Sequence, residues 1–166
     1  MALKPYVFDT IYHSTMNRAV QTARIIAQAL PEADLHPTPL LRECVPSLPV
    51  RLAQAYAVSK GRPQPTVVNT QRCLQRLESA FDEHFLPAIP DEDLSAPTVA
   101  RDLLVCHGNI IRYFVTRVLQ ADPALWVNMA VHNCGITIVH IQESGQMTLI
   151  SHNDTGHLPD TLRTQG

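Results

Sequence analysis

Leu103-Leu104-Val105-Cys106-His107-Gly108-Asn109-Ile110-Ile111-Arg112 begins as an apolar run and turns at once into a helical pattern. No polar residue interrupts Leu103 to Cys106, as expected of a strand covered on both faces. Gly108 permits a tight turn after His107. Ile110, Ile111, Phe114, Val115, Val118 and Leu119 then recur at helical spacing, and this helix is expected to end near Gln120. His107 therefore belongs at the carboxyl end of a buried strand and the amino end of a helix. Open α/β sheets place ligands there, and the free N–H groups of a first helical turn attract anions. A phosphate site at His107 is the first expectation.

A chain of 166 residues fits one domain, expected to cover residues 1–166, with a sizeable core. Hydrophobic content of 45% and charged content of 17% fit a folded globular protein, and a net charge of −2 gives no reason to expect a nucleic-acid partner. Cys44, Cys73, Cys106 and Cys134 lie far apart and form no CxxC pair, so neither a zinc site nor a redox motif is expected. Reduced thiols are the expectation, with Cys106 and Cys134 as small buried residues. No apolar run is long enough to span a bilayer, and no targeting segment is seen at the N-terminus. The expected location is intracellular.

Outward from the opening stretch, β-formers around Ile11 and Tyr12 predict a strand. Ser14 is placed to cap a helix from about Thr15 to Ala29, with Ala19, Ala23, Ile26, Ala27 and Leu30 on one face and Pro31 ending it. Asp34 to Leu41 is extended, as an edge strand or loop. A short helix is expected over 50–58, and an exposed loop over Lys60 to Pro65. Asn69 to about Phe85 predicts a second long helix with Leu74, Leu77, Phe81 and Phe85 on one stripe, followed by an acidic, proline-rich connection from Pro87 to Pro97. Trp126, Val127 and Met129 suggest a short packed helix. Asn133 to Ile141 and Met147 to Ser151 read as strands joined by a turn at Ser144-Gly145, with a polar tail from His152 and regular structure ending at Pro159. The alternation of helices and strands predicts a three-layer α/β domain.

Several groups are candidates to join His107. Arg18 falls in the first turn of its helix, where the dipole is positive and a planar guanidinium suits a pair of phosphate oxygens. Glu43 is a candidate acid to protonate a leaving alkoxide. His107 itself would donate to a phosphoryl group in flight. Asn109 is placed to face the site or cap the helix, and Arg112 to pack or pair outside it. Asn153-Asp154-Thr155-Gly156-His157 is a turn whose side chains would line a rim. Taken singly, an arginine or a glutamate is ordinarily a solvated surface residue.

Jointly the motifs are specific. Ser14-x-x-x-Arg18-Ala19-x-x-Thr22-Ala23 with Cys106-His107-Gly108-Asn109-x-x-Arg112 resembles the histidine phosphatase (phosphoglycerate-mutase-like) superfamily. Trp126, Gly135-Ile136-Thr137 and Asn153 to Pro159 bring the likeness nearer to its mitochondrial Ser/Thr protein phosphatases, over about Tyr12 to Pro159. The resemblance implies a phosphoglycerate-mutase-like fold and a phosphomonoester hydrolase that uses no metal or cofactor. The substrate it implies is phosphoserine or phosphothreonine in proteins. Catalytic roles would fall to His107, Glu43 and Arg18, and substrate-binding roles to Arg18, Asn109 and Asp154. It also implies a cytoplasmic or mitochondrial address.

The resemblance further implies an Arg-His-Gly motif on a central strand before Ser14, its histidine attacking phosphorus. No Arg-His pair occurs in the chain, and only thirteen residues precede Ser14. The expectation is therefore a domain lacking its first, central strand, incomplete on its N-terminal side, with little or no turnover. The alternatives are a non-catalytic module that binds phosphate or a phosphoprotein, and an α/β interaction domain forming a homo-oligomer over open sheet edges.

Overall fold

Ile11 and Tyr12 are a β-branched and an aromatic residue on opposite sides of one strand, and they anchor two different cores. That alternation organises the computed structural model of the chain, which describes residues 2–46, 48, 67–86 and 100–164. Strand β1 (Thr10–Ser14) lies between β2 (Asp34–Thr38) and β3 (Asp102–Val105), parallel to both. Ile11 pairs in register with Leu35 and Leu103. Helix α1 (Asn17–Ala27) covers one face of this sheet. Its Ala19 and Ala23, with Leu30 beyond it, pack on Ile11 and Val105. Helices α2 (Val67–Phe85) and α3 (Gly108–Val118) cover the other face, where Leu77, Ala80, Phe81, Ile110, Tyr113, Phe114 and Val118 form a larger core against Tyr12 and Leu104. Neighbouring residues of β3 thus meet opposite layers, and this is why Leu103 to Val105 shows no polar interruption.

Phe81, Phe85 and Phe114 stack or tilt on one another, and Glu78 of α2 takes hydrogen bonds from Tyr113 and Arg117 of α3. The guanidinium of Arg117 also lies over the Phe81 ring. Trp126, in a 3-10 turn over Pro123–Asn128, is fully buried. Strands β4 (Ile136–Ile141) and β5 (Met147–Asp154) form an antiparallel hairpin, and its Val139, Met147 and Leu149 join the larger core. No ladder among the described residues joins β4–β5 to β2-β1-β3, so the sheet is in two pieces.

Several expectations need correction. Helix α1 is shorter than predicted, because Ser14 belongs to β1 and Met16 occupies the cap position without a side-chain cap. Gly108 has an ordinary helical backbone with room for a side chain, so no tight turn depends on it. Glycine is required instead at Gly135, where a side chain would collide with Asn153 Oδ1 and the His132 carbonyl. Cys44 and Cys73 are joined by a disulfide and are not reduced thiols, and Cys134 is exposed. Strand β4 begins at Ile136 and not at Asn133, while β5 runs on to Asp154, so His152 and Asn153 are strand residues. A 3-10 turn over Asp160–Leu162 follows Pro159. The expected helix over 50–58, the loop over Lys60 to Pro65 and the Pro87–Pro97 connection lie outside the described residues.

Candidate functional site

Parallel pairing sets His13 of β1 beside Val105 of β3, so both strands deliver their next residues to the same end of the sheet. Ser14 and His107 meet there, both buried. The His107 ring nitrogen Nε2 lies 2.8 Å from Ser14 Oγ. Its Nδ1 accepts the Arg18 Nε–H at 3.1 Å. Arg18 can only donate, so Nδ1 is the bare nitrogen and the ring proton is on Nε2, given to Ser14. Burial first, and then the charges of Arg18, Arg42 and Arg76, push the His107 pKa down to about 4. The ring is therefore neutral near pH 7 and acts as a donor to an acceptor placed beside it.

Arg18 is in the first turn of α1, where Thr22 Oγ1 donates to its carbonyl. Ala19 and Ala23 let the helix lie close to the sheet, so Arg18 projects at the strand ends. Its side chain is 58% exposed, and Nη2 is 4.0 Å from Oε2 of the more buried Glu43. Glu43 arrives there because a 3-10 turn over Pro39–Leu41 ends β2. Thr38 Oγ1 caps that turn through Leu40 N–H, and Leu41 is fully buried. Burial raises the Glu43 pKa to about 7, against the opposing pull of Arg18, Arg112 and the Cys44 and Asn109 backbones. A carboxyl that keeps its proton up to neutrality is suited to donate it to a leaving oxygen.

Three ties hold the Glu43 segment. Asn109 Nδ2–H donates to the Cys44 carbonyl at 3.0 Å, Arg76 Nη2 donates to the Arg42 carbonyl at 2.6 Å, and the disulfide fastens Cys44 to Cys73 of α2. Arg112 donates to Asn109 Oδ1 at 3.4 Å, nearer the site than its sequence position suggested.

The structure thus brings Arg18, Glu43, His107 and Asn109 together. Asp154 is exposed at the end of β5, with its carboxylate accepting the Gly156 amide. No hydrogen bond or ion pair among the described residues links it to the other four. Sequence reasoning missed Ser14 as the partner of His107, and Arg42 and Arg76 as neighbours. Arg42 stands beside Glu43 in the chain and offered a signal, whereas only the folding of α2 onto the Glu43 segment reveals Arg76. Among the described residues no cluster of His, Cys, Asp or Glu is arranged to hold a metal. The arrangement sets the outer guanidinium nitrogens of Arg18, donors suited to an anion, beside a neutral imidazole and a carboxyl that titrates at about 7.

Comparison with known proteins agrees with this geometry. The profile of the histidine phosphatase superfamily (branch 1) matches residues 1–47 and 60–155. The mitochondrial serine/threonine-protein phosphatase Pgam5 of Caenorhabditis elegans is 36% identical over 154 residues, which are 92% of this chain and 50% of that protein. The human protein of the same name, PGAM5, is 34% identical over 154 residues, 92% of this chain and 49% of its own length. The chain therefore spans about half the length of these relatives. Among solved structures, a phosphoglycerate mutase from Plasmodium falciparum superposes with a TM-score of 0.61 at 29% identity, covering 96% of this chain and 78% of the other. A phosphoserine phosphatase from Entamoeba histolytica gives 0.66 at 20% identity, over 95% and 79%. That likeness shows a phosphoglycerate-mutase-like α/β fold.

Proposed function

The chain belongs to the histidine phosphatase superfamily, and from that membership we propose that its site serves phosphomonoester hydrolysis on phosphoserine or phosphothreonine in proteins. The observation that carries this reading is the cluster of Arg18, His107 and Glu43 at the strand ends. Arg18 holds the phosphoryl oxygens through its outer guanidinium nitrogens, neutral His107 turns its Nε2–H from Ser14 Oγ to one of them when the phosphoryl group enters, and Glu43 gives its proton to the departing alkoxide as a nucleophile that residues 1–166 do not poise takes the phosphoryl group. Asn109 fixes the Glu43 segment through the Cys44 carbonyl. Asp154 is the further substrate-binding residue, reached by a larger substrate along the end of β5. The phosphoprotein substrate is supported by the names of the Pgam5 relatives.

We further propose that residues 1–166 alone bind phosphate but hydrolyse phosphomonoesters very slowly. Both ring nitrogens of His107 are engaged, by Arg18 and Ser14, and His13, whose Nδ1–H donates to the Ser14 carbonyl, is buried in β1 with no hydrogen bond or ion pair to Arg18 or Glu43 among the described residues. Neither is poised to attack phosphorus, and no Arg-His pair is present to supply another imidazole. On these grounds the 166 residues act as a phosphate-binding module. The names of the mitochondrial relatives favour the mitochondrion over the cytoplasm.

The test has two arms. Titration with inorganic phosphate, followed through the His107 imidazole resonances, is expected to shift them at millimolar ligand, while p-nitrophenyl phosphate turns over near background. Robust turnover would overturn the claim that no imidazole attacks. Unmoved His107 resonances in a folded protein would overturn the phosphate site.

A further inference from the structure

Positive charge at the site exceeds what one phosphoryl group requires. The Arg76 guanidinium is tied to the Arg42 backbone by Nη2 donating to its carbonyl at 2.6 Å, and it lies near enough to the Arg42 side chain to be affected by its charge. The disulfide reinforces this, joining Cys44, two residues beyond Arg42, to Cys73, three before Arg76. Arg42 Nη1 reaches Thr15 Oγ1 at 3.1 Å, next to the Ser14 that contacts His107. Among the described residues neither guanidinium has a carboxylate in ion-pair contact, and Arg76 Nε is buried without a hydrogen-bond partner. Burial first and then the charge of Arg42 lower the Arg76 pKa, and the nearby Glu43 carboxylate offsets only part of this. Sequence continues the theme: residues 42–76 contain Arg42, Arg51, Lys60, Arg62, Arg72 and Arg76, against Glu43 as the one acid.

Like charges held near one another without an ion-paired counter-ion cost free energy, and an anion bound between them recovers it. A phosphomonoester dianion is already answered by Arg18 and the donors around it. We propose that Arg42 and Arg76 form a second anion subsite beside the phosphoryl position, selecting phosphoprotein segments that carry another acidic group, an Asp, Glu or second phosphoresidue, next to the phosphoresidue. This rests on the phosphate-site reading above and deepens it. The role differs from that of Arg18: the pair holds a neighbouring group of the substrate and does not touch the reacting phosphorus.

Three phosphothreonine peptides of equal length and equal net charge decide the matter: two with acids adjacent to or distant from the phosphothreonine, and a third with the acid replaced by glutamine and a compensating terminal charge. Dissociation constants come from the His107 resonances of the full 166-residue chain at fixed salt. The adjacent-acid peptide is expected to bind about tenfold tighter than the other two, the gain of one charge-assisted contact. In Arg42→Gln and Arg76→Gln that preference falls towards unity, and in Arg42→Lys a part of it returns. If phosphate shifts His107 but the three peptides bind alike, the subsite is refuted and the phosphate site stands. A preference that survives both glutamine variants also refutes it. If phosphate itself produces no shift, the underlying site reading fails first. The wild-type comparison decides even if a variant does not fold.

Discussion

Glu43 and His107 are neighbours across one site, yet their protons respond to burial in opposite senses. Burial keeps the proton on Glu43, raising its pKa to about 7, and keeps it off His107, lowering that pKa to about 4. The linkage follows from these signs. The Glu43 contribution to stability is full below the unfolded carboxyl pKa of roughly 4.5 and is lost as pH rises through about 7. The His107 contribution is present above roughly 6.5 and is lost as pH falls through about 4. Glu43→Gln is therefore expected to match the parent near pH 4 and to exceed it by about 3 kcal/mol at pH 8, since glutamine never ionises. Denaturant unfolding of both proteins at the two pH values checks this, and an equal difference at both would contradict the raised pKa. His107 stood out in the sequence by its place at a strand end, whereas Arg18 and Glu43, each an ordinary surface residue when taken singly, took catalytic roles only jointly with His107, through the family resemblance. Ser14 was read only as a helix cap: its Oγ does accept the Met16 amide at 3.3 Å at the start of α1, but Ser14 is a residue of β1 and the same oxygen also meets His107.

The elements were read better in kind than in extent. The periodicities of α2 and α3 and the unbroken apolar run of β3 follow from faces that must be buried, so they appear in the residues themselves. Termini depend on what the ends meet, which is why α1 starts later than predicted and β5 runs further. Cysteine pairing lies beyond spacing altogether: twenty-nine residues separate Cys44 from Cys73, and only the docking of α2 beside the Glu43 segment brings their Cα atoms to 5.8 Å. That disulfide closes the loop carrying the cationic stretch, so reducing it, or making Cys73→Ser, is expected to lower stability by about 3 kcal/mol through the freed unfolded chain. An unchanged unfolding midpoint with and without dithiothreitol would show that the tie contributes nothing.

At the scale of the molecule the sheet is the informative feature. Its pieces, β2-β1-β3 and β4–β5, share a core through α3 but no backbone ladder among the described residues. Amides of β4 and β5 are accordingly expected to exchange with solvent through openings of lower free energy than those of β1, which is bonded on both sides. Native-state hydrogen exchange resolves this, and identical opening energies for the two pieces would mean that they unfold as one. The three layers, the strand–histidine–helix passage and the family motifs were readable from order alone, because hydrophobic period and short motifs are local properties of a chain. The company that His107 keeps was not. Ser14, Arg42 and Arg76 come from β1, the segment after β2 and the middle of α2, and their charges and hydrogen bonds act through space, across separations that sequence order does not measure.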